Sequence, residues 1–309
     1  MTEIAQQVER TNEPVGPRTI ADTRSGERAS VDALLPVEIA RKAETVGAQK
    51  ARLDAVSLMT LGILAGAFIA LGAMFATTVL AGAEGSLPFG VGRLLAGLVF
   101  GMGLILVVVG GAELFTGNAL MVMALAARKI ALPEMLRAWA IVYTGNFVGS
   151  LGTAVLVFLS GQYLSGDGAV AEVAVSLAKA KVSLPFARAL FLGVLCNVLV
   201  CLAVWLSLGA RGTGDKILAI MFPVAAFVAA GFEHSVANMY LIPLGWMIIE
   251  WGPPSIVAQL ATGPAEFASL TVAGFAWNLV PVTIGNVIGG GILVGGVYWF
   301  VYLRQRASM

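Results

Sequence analysis

Long apolar stretches separated by short polar turns dominate the chain after residue 54. The hydrocarbon core of a bilayer is about 30 Å thick, so a helix that crosses it needs about 20 apolar residues. Six stretches are long enough, and they cover residues 55–83, 89–127, 133–161, 184–210, 216–249 and 268–303. The pattern predicts an all-α membrane protein with a domain of six transmembrane helices at residues 54–303.

The segments that flank this domain are predicted to lie outside the bilayer. Residues 1–33 carry charges of both signs and lack the apolar core of a signal peptide, which is typical of a disordered tail. In residues 34–53 apolar side chains recur at helical spacing with charges between them, at Val37, Ala40, Ala43 and Val46. This pattern predicts an amphipathic helix along the membrane surface, with a plain linker helix as the alternative. Residues 304–309 form a short polar C-terminus.

Positive charges orient the spans, because cytoplasmic loops retain Lys and Arg. Eight of these residues precede the first span, and the turns after the second and fourth spans and the C-terminus hold two each. Both termini are therefore predicted to be cytoplasmic. Lys179 and Lys181, in the loop after the third span, are periplasmic positive charges placed against this bias.

Composition supports a membrane protein and excludes other classes. Hydrophobic residues make up 58% of the 309 residues and charged residues 12%, whereas soluble proteins carry about 25% charged residues. These values exclude soluble enzymes, nucleic-acid binders and secreted disulfide scaffolds. The two cysteines, Cys196 and Cys201, lie in one apolar run and form neither a disulfide framework nor a zinc site.

The second and fifth spans are each interrupted by a similar polar cluster. GAELFTGN at 111–118 and GFEHSVAN at 231–238 both have Gly two residues before a Glu and Asn five residues after it. A second pair, GNFVG at 145–149 and GNVIG at 285–289, follows in the third and sixth spans. The motifs thus indicate two repeats of three membrane spans each. Because three is an odd number, the second repeat begins on the opposite side of the membrane from the first, so the two repeats are inverted. Paired breaks in inverted repeats indicate a substrate site, and their free backbone N–H groups suit an anion.

Glu113, Glu233 and His234 are ionisable residues near mid-bilayer, where function is the default interpretation. The two carboxylates are predicted to accept the freed backbone N–H groups as scaffold, with direct substrate contact as the alternative. His234, the only histidine, lies in one break, opposite Thr116 in the other, and is predicted to donate a hydrogen bond or a proton to an anion. No metal or other cofactor is expected, because neither a second histidine nor a thiol cluster is present.

Amides and bulky apolar residues surround these breaks. Five asparagines at membrane depth are expected to hold helices together or cap the breaks, with Asn197 either packed or facing the pathway; they are Asn118, Asn146, Asn197, Asn238 and Asn286. Six apolar residues could form constrictions that strip water from an ion; they are Phe100, Leu104, Leu114, Phe115, Val200 and Phe227.

The chain resembles the formate/nitrite transporter family, and within it the formate channels, from about residue 35 to residue 303. The motifs that carry the resemblance are GGAELFTGN, GNFVG, LCNVLVCLAVW, GFEHSVANM and PVTIGNVIGGG. The resemblance implies an aquaporin-like fold with broken helices 2 and 5, in a homopentamer with one pore per protomer in the bacterial inner membrane. PVTIGN and the proline of MYLIPLG favour formate over nitrite.

The resemblance also implies roles for particular residues. Thr116 matches the threonine that hydrogen-bonds the central histidine, His234, and Asn197 matches the pore asparagine. Lys50 and Lys181 match vestibule lysines that attract anions, with Lys179 as an alternative to Lys181. The constriction residues match a cytoplasmic slit, formed by Leu104, Leu114 and Phe227, and a periplasmic slit, formed by Phe100, Phe115 and Val200.

The predicted function is a channel or transporter, not an enzyme, in which small monovalent anions and protons pass His234 together. Formate is the first candidate; nitrite, hydrosulfide and short carboxylates are alternatives. An aquaporin-like channel for neutral solutes is the rival from another class, although the Asn-Pro-Ala signature is missing. An ammonium channel would need two pore histidines, and a membrane enzyme would need more than Ser235 beside His234.

Overall fold

The protein was analysed as a computed structural model that describes residues 32–83, 85–260 and 267–304. The predicted tail at 1–33 lies outside the described residues except for its last two positions, and so does the C-terminus from residue 305. Within the described ranges all of the regular structure is helical, as expected for an all-α membrane protein.

Twelve helices form the described part of the chain, and they are α1 Pro36–Ala51, α2 Ala55–Leu80, α3 Phe89–Gly110, α4 Val122–Ala126, α5 Leu132–Ser160, α6 Ala169–Val182, α7 Phe186–Gly209, α8 Thr213–Ala229, α9 Ser235–Trp251, α10 Pro254–Leu260, α11 Val272–Val287 and α12 Val297–Tyr302. Short 3₁₀ segments cover Gly117–Met121 and Gln162–Leu164. A π-helical segment, Ile288–Gly296, joins α11 to α12 without a break.

Among the described residues, five helical stretches are each long and apolar enough to cross a membrane: α2, α3, α5, α7 and the continuous Val272–Tyr302. The remaining predicted span, the fifth, consists of two 17-residue helices, α8 and α9. The second span is also divided, since α3 is followed by non-helical residues and then by the 3₁₀ segment and α4. The predicted breaks in the second and fifth spans are therefore confirmed.

A glycine begins each break by adopting a left-handed conformation. Gly111 ends α3 with φ of 80°, and Gly231 follows α8 with φ of 72°. Residues with a Cβ rarely adopt this conformation, whereas glycine does so freely. Three residues without regular structure follow, and the last of them is Leu114 in one break and His234 in the other.

Glycines also allow the helices of each repeat to approach closely. A Cβ on Gly145 of α5 would lie 2.8 Å from a backbone oxygen of α2, and a Cβ on Gly149 would meet the backbone of Ile63. In the second repeat Gly285 and Gly289 of α11 face the backbone of α7 in the same way. Close backbone contact of this kind is typical of small residues in membrane helices.

Helix α1 packs against the spans through one face. Ile39, Ala40 and Ala43 are buried, and the Lys42 ammonium donates a hydrogen bond to the Leu208 carbonyl at the end of α7, at 2.8 Å. A cation at a helix C-terminus is favourable. This packing directs the last turn of α1, with Lys50, towards the first break.

Candidate pore site

At the first break a lysine, a carboxylate and an amide form a connected cluster. The Lys50 Nζ lies 3.1 Å from a carboxylate oxygen of Glu113 and donates to the Asn118 side-chain oxygen at 2.8 Å. The Asn118 amide nitrogen in turn donates to Glu113 at 2.8 Å. The Glu113 carboxylate is buried and the Lys50 side chain is 28% exposed, so one end of the cluster is open to solvent.

The second break carries the same cluster from the other repeat. The Lys181 Nζ donates to Glu233 at 2.8 Å, and the Asn238 amide donates to the other oxygen of Glu233 at 2.7 Å. Asn278 accepts a second bond from Asn238 and donates to the Lys181 backbone oxygen, at 2.7 and 2.8 Å. The Lys181 side chain is 12% exposed, which is less than that of Lys50.

These clusters correct the expectation that the two glutamates accept the freed backbone N–H groups. The carboxylates of Glu113 and Glu233 bind lysine and asparagine side chains instead. A buried carboxylate needs a charged partner more than a backbone donor, because its desolvation is costly. The lysines that supply this partner are distant in sequence, on α1 and α6.

Asn146 and Asn286 bind the freed backbone groups, as expected for asparagines that hold these helices together. The Asn146 side-chain oxygen accepts from the Phe115 N–H at 2.9 Å, and its amide donates to the backbone oxygens of Gly62 and Glu113 at 2.8 and 2.9 Å. Asn286 makes the equivalent bonds in the second repeat, with Ser235 N–H, Gly193 O and Glu233 O, at 2.9, 2.8 and 3.0 Å. Each break is thus connected to two neighbouring spans.

The two breaks are joined by a hydrogen bond between Thr116 and His234. The Thr116 Oγ1 and His234 Nε2 lie 2.9 Å apart, and both residues are buried. The His234 Nδ1 accepts from the Ala237 N–H at 3.1 Å and so caps α9. An accepting Nδ1 carries no proton, so this network assigns the proton of the neutral ring to Nε2, which donates to Thr116.

Asn197 lies beside this pair. Its amide nitrogen donates to the backbone oxygens of Thr116 and Asn286, at 3.1 and 2.6 Å, while its side-chain oxygen is buried without a partner among the described residues. Cys201 donates from Sγ to the same Thr116 oxygen at 3.4 Å. Asn197 lines neither of the two cavities described below, so these contacts favour a packing role beside the pathway.

A serine of the third span makes the bond to the second break that corresponds to the bond from Asn197 to the first break. The Ser150 hydroxyl of α5 donates to the backbone oxygens of Gly66 and Val236, at 3.1 and 3.3 Å. Val236 occupies the position in the second break that Thr116 occupies in the first. The matching carbonyls are therefore bound by a span-3 serine in one half and by a span-4 asparagine in the other.

Two cavities reach towards the breaks. The first, here called the Lys50 cavity, has a volume of about 210 Å³ and is lined by Lys50, Glu113, Asn118 and apolar residues that include Leu104 and Leu114. The second, here called the Lys181 cavity, has a volume of about 70 Å³. Its lining includes Arg93, Phe100, Lys181, Phe227, His234 and Asn238.

The two cavities include four of the predicted constriction residues. Phe227 lines the Lys181 cavity and packs edge to face on Phe100, with ring centroids 5.6 Å apart, whereas Leu104 and Leu114 line the Lys50 cavity. Its ring also stacks on His234 at 6.0 Å. The other two predicted constriction residues, Phe115 and Val200, are buried but line neither cavity.

Sequence reasoning overlooked Arg93 and Asn278 as site residues. Arg93 lies near the start of the second span and is the only charged residue of α3. Asn278 lies outside the repeated motifs, and the residue 140 positions earlier is Ala138. An isolated amide in an apolar span was the available signal for Asn278.

Comparison with known proteins shows the same family. Residues 37–300 match the formate/nitrite transporter family. The chain is 44% identical to the formate channel FocA of Escherichia coli strain K12 over 276 residues, which is 89% of this chain and 96% of that protein. It is 39% identical to FocA of Haemophilus influenzae over 270 residues, which is 87% of this chain and 95% of that protein.

A solved structure has the same fold. A pentameric formate channel with formate bound superposes with a TM-score of 0.76 and 41% identity, over 81% of this chain and 98% of that chain. This match supports the aquaporin-like arrangement of six spans with broken second and fifth helices. The chain therefore belongs to the formate/nitrite transporter family, a family of multi-pass membrane channels and transporters rather than enzymes.

Proposed function

We propose that this protein conducts small monovalent anions, formate first, through one pore in each protomer of a homopentamer. The observation that carries the proposal is the buried Thr116–His234 pair, in which the Thr116 hydroxyl proton is left to donate, between two breaks whose lysines line the Lys50 and Lys181 cavities. The relatives named formate channels, and the pentamer solved with formate bound, support formate as the substrate.

The lysines concentrate anions at the two mouths. Positive charge in a low-dielectric cleft raises the local concentration of anions. The distribution of Lys and Arg supports cytoplasmic termini, so the Lys50 cavity opens to the cytoplasm and the Lys181 cavity to the periplasm of a bacterial inner membrane. The tail at 1–33 is proposed to be disordered and cytoplasmic.

Proton transfer at His234 makes the anion neutral. The neutral ring cannot release its Nε2 proton to formate, because an imidazolate would remain. A proton from cavity water must first bind Nδ1, which breaks the bond from Ala237 N–H. An anion beside Nε2 stabilises this imidazolium, and the Nε2 proton then moves to a formate oxygen, which leaves the ring neutral with its proton on Nδ1. A second proton from water binds Nε2 as the Nδ1 proton leaves to water, which restores the tautomer that accepts from Ala237 N–H. The net result is one proton taken from water for each formate.

The neutral acid then crosses the apolar constrictions. Leu104 and Leu114 on one side, and Phe100 and Phe227 on the other, offer no hydrogen bonds and so exclude a hydrated ion. A poorly hydrated site also raises the proton affinity of the anion itself. One formate and one proton therefore pass together. Nitrite, which the family description names, is the second candidate because it is an anion of similar size and charge.

Flux measurements in proteoliposomes with a trapped pH dye test the proposal. We expect saturable formate uptake with coupled proton movement, and His234→Asn should abolish the flux or uncouple it from protons. Ser235→Ala is the matched control, because its hydroxyl is buried and has no partner among the described residues. Unchanged flux and proton stoichiometry in His234→Asn would refute the role of His234. Saturable uptake of glycerol but not of formate or nitrite would refute the anion pore.

A further inference from the structure

Arg93 reaches from the start of α3 to the second break. Its guanidinium donates from Nη2 to the Val228 oxygen at 2.7 Å and from Nε to the Ala229 oxygen at 3.4 Å. These carbonyls belong to the last turn of α8, beyond which the helix supplies no further N–H groups, although the Val228 oxygen also accepts from the Gly231 N–H at 3.1 Å. Arg93 therefore stabilises the negative end of a helix that stops inside the protein.

The same side chain is part of the wall of the Lys181 cavity. It lines this cavity together with Lys181 and His234. A Cβ added to Gly231 would lie 3.2 Å from an Arg93 guanidinium nitrogen, so the guanidinium covers the glycine that begins the second break. Two of its five N–H groups are used on the α8 carbonyls, and the other three have no partner among the described residues.

The two cavities consequently differ in charge. In the Lys50 cavity the lining charges are Lys50 and Glu113, which sum to zero, so the Lys50 ammonium attracts an anion only at short range. The Lys181 cavity has Lys181 and Arg93 in its lining, against the single carboxylate of Glu233 that pairs with Lys181. Its described charged groups therefore sum to one positive charge.

The repeat does not reproduce this extra charge. An offset of 120 residues relates the two breaks and places Thr213 at the position that corresponds to Arg93. The inverted repeats are thus alike in their Lys–Glu–Asn clusters but unlike in this residue. The two repeats therefore differ in the net charge that they place at each mouth of the pore. The Thr116–His234 pair lies between the mouths and is not part of this difference.

We propose that Arg93 and Lys181 form an anion-holding subsite in the Lys181 cavity, so that the two mouths of the pore bind formate with unequal affinity. The inference rests on the proposed function of the pore. A planar guanidinium fork with free N–H groups matches the two oxygens of a carboxylate, and Lys181 adds a point charge. Anions entering from the Lys181 side therefore saturate transport at a lower concentration than anions entering from the Lys50 side.

The test compares the two directions of formate flux in vesicles that contain the protein in one orientation, at equal pH on both faces. The measured quantity is the KM from the Lys181 side divided by the KM from the Lys50 side. In the wild type this ratio should be below one. Arg93→Gln should raise it about fivefold towards unity, because one unit charge near the mouth is removed. The effect should shrink at high ionic strength.

Two further variants separate attraction from packing. Arg93→Lys keeps the charge and should restore most of the wild-type ratio. Arg188→Gln removes an exposed positive charge near the start of α7, outside both described cavities, and should leave the ratio unchanged. A thermal melt of each variant identifies any general loss of fold, which would lower the maximal flux in both directions and leave the KM ratio unchanged.

Several results would overturn the inference. They are an unchanged KM ratio in Arg93→Gln, an equal rise of KM from both sides, and an Arg93→Lys variant that behaves like Arg93→Gln. If the wild type shows no formate or nitrite flux at all, the proposed function fails first. If the wild type transports formate and only the ratio is insensitive to Arg93, the pore assignment stands and the subsite is wrong.

Discussion

Replacing Asn286 with leucine removes the connection between the second break and its neighbouring spans. Leucine has nearly the same shape, so the change deletes hydrogen bonds without leaving a large void. The bonds lost are those with Ser235 N–H, Gly193 O and Glu233 O. Because Asn286 is fully buried, water does not replace the lost partner of the Ser235 N–H.

The magnitude follows from these contacts. Side-chain hydrogen bonds between membrane helices contribute about 0.6 kcal/mol each on average, so three contribute about 2 kcal/mol. An unpaired buried N–H costs about 1–3 kcal/mol more. We therefore expect Asn286→Leu to destabilise the fold by about 3–5 kcal/mol. Asn146→Leu should cost the same, because Asn146 makes the equivalent three bonds at the first break.

Thermal unfolding of the purified protein in detergent measures this loss. At about 2 °C per kcal/mol for a chain of this size, Tm should fall by about 6–10 °C in each variant. All variants are compared at one scan rate, because membrane proteins often unfold irreversibly. Val287→Leu, at the neighbouring partly buried position, controls for added apolar volume. A loss below about 1 kcal/mol in either variant, or losses that differ more than twofold, would refute the reasoning.

Three further predictions follow from the same geometry. Lys181→Gln should lower Tm more than Lys50→Gln, because the Lys181 side chain is less exposed (12% against 28%) and its loss leaves a more deeply buried carboxylate unpaired. Equal Tm values for the two variants would contradict this. Gly149→Ala should prevent recovery of folded protein, whereas Gly152→Ala on the same helix, with open space around it, should be neutral or slightly stabilising in size-exclusion and melting measurements. Thr116→Val removes the acceptor for the His234 Nε2–H, so formate flux should fall at least tenfold while stability drops by only about 1 kcal/mol; full flux would show that the pair is dispensable.

The repeated motifs allowed the two helix breaks and the residues around them to be predicted from the sequence. Gly, Glu and Asn recur at fixed spacing because each break needs a left-handed glycine, a buried carboxylate and an amide that binds it. The same local requirement made Asn146 and Asn286 recognisable as residues that hold the helices together. Spacing of this kind is visible in a single sequence for two reasons. Gly, Glu and Asn of one break lie within eight residues of each other, and the motifs that contain Asn146 and Asn286 occur once in each repeat.

The partners of the carboxylates could not be derived in that way. Lys50 and Lys181 meet Glu113 and Glu233 across 63 and 52 residues, and the lysines were assigned to the mouths only through family resemblance. Arg93 meets the α8 carbonyls across 135 residues. Long charged side chains reach different partners according to how helices pack, and periodicity does not encode that packing. The two predicted slits likewise rest on the family resemblance and not on periodicity.

The exchange of donors between Ser150 and Asn197 bears on how the two halves diverged. Position 66 corresponds to position 197, and position 290 to position 150, and in each half the helix facing the donor carries glycine. A Cβ at Gly290 would collide with the Asn197 amide, and a Cβ at Gly66 would collide with the Asn146 backbone. A side chain at either glycine position would therefore meet space that is already occupied, so neither half can take the arrangement of the other by a single substitution.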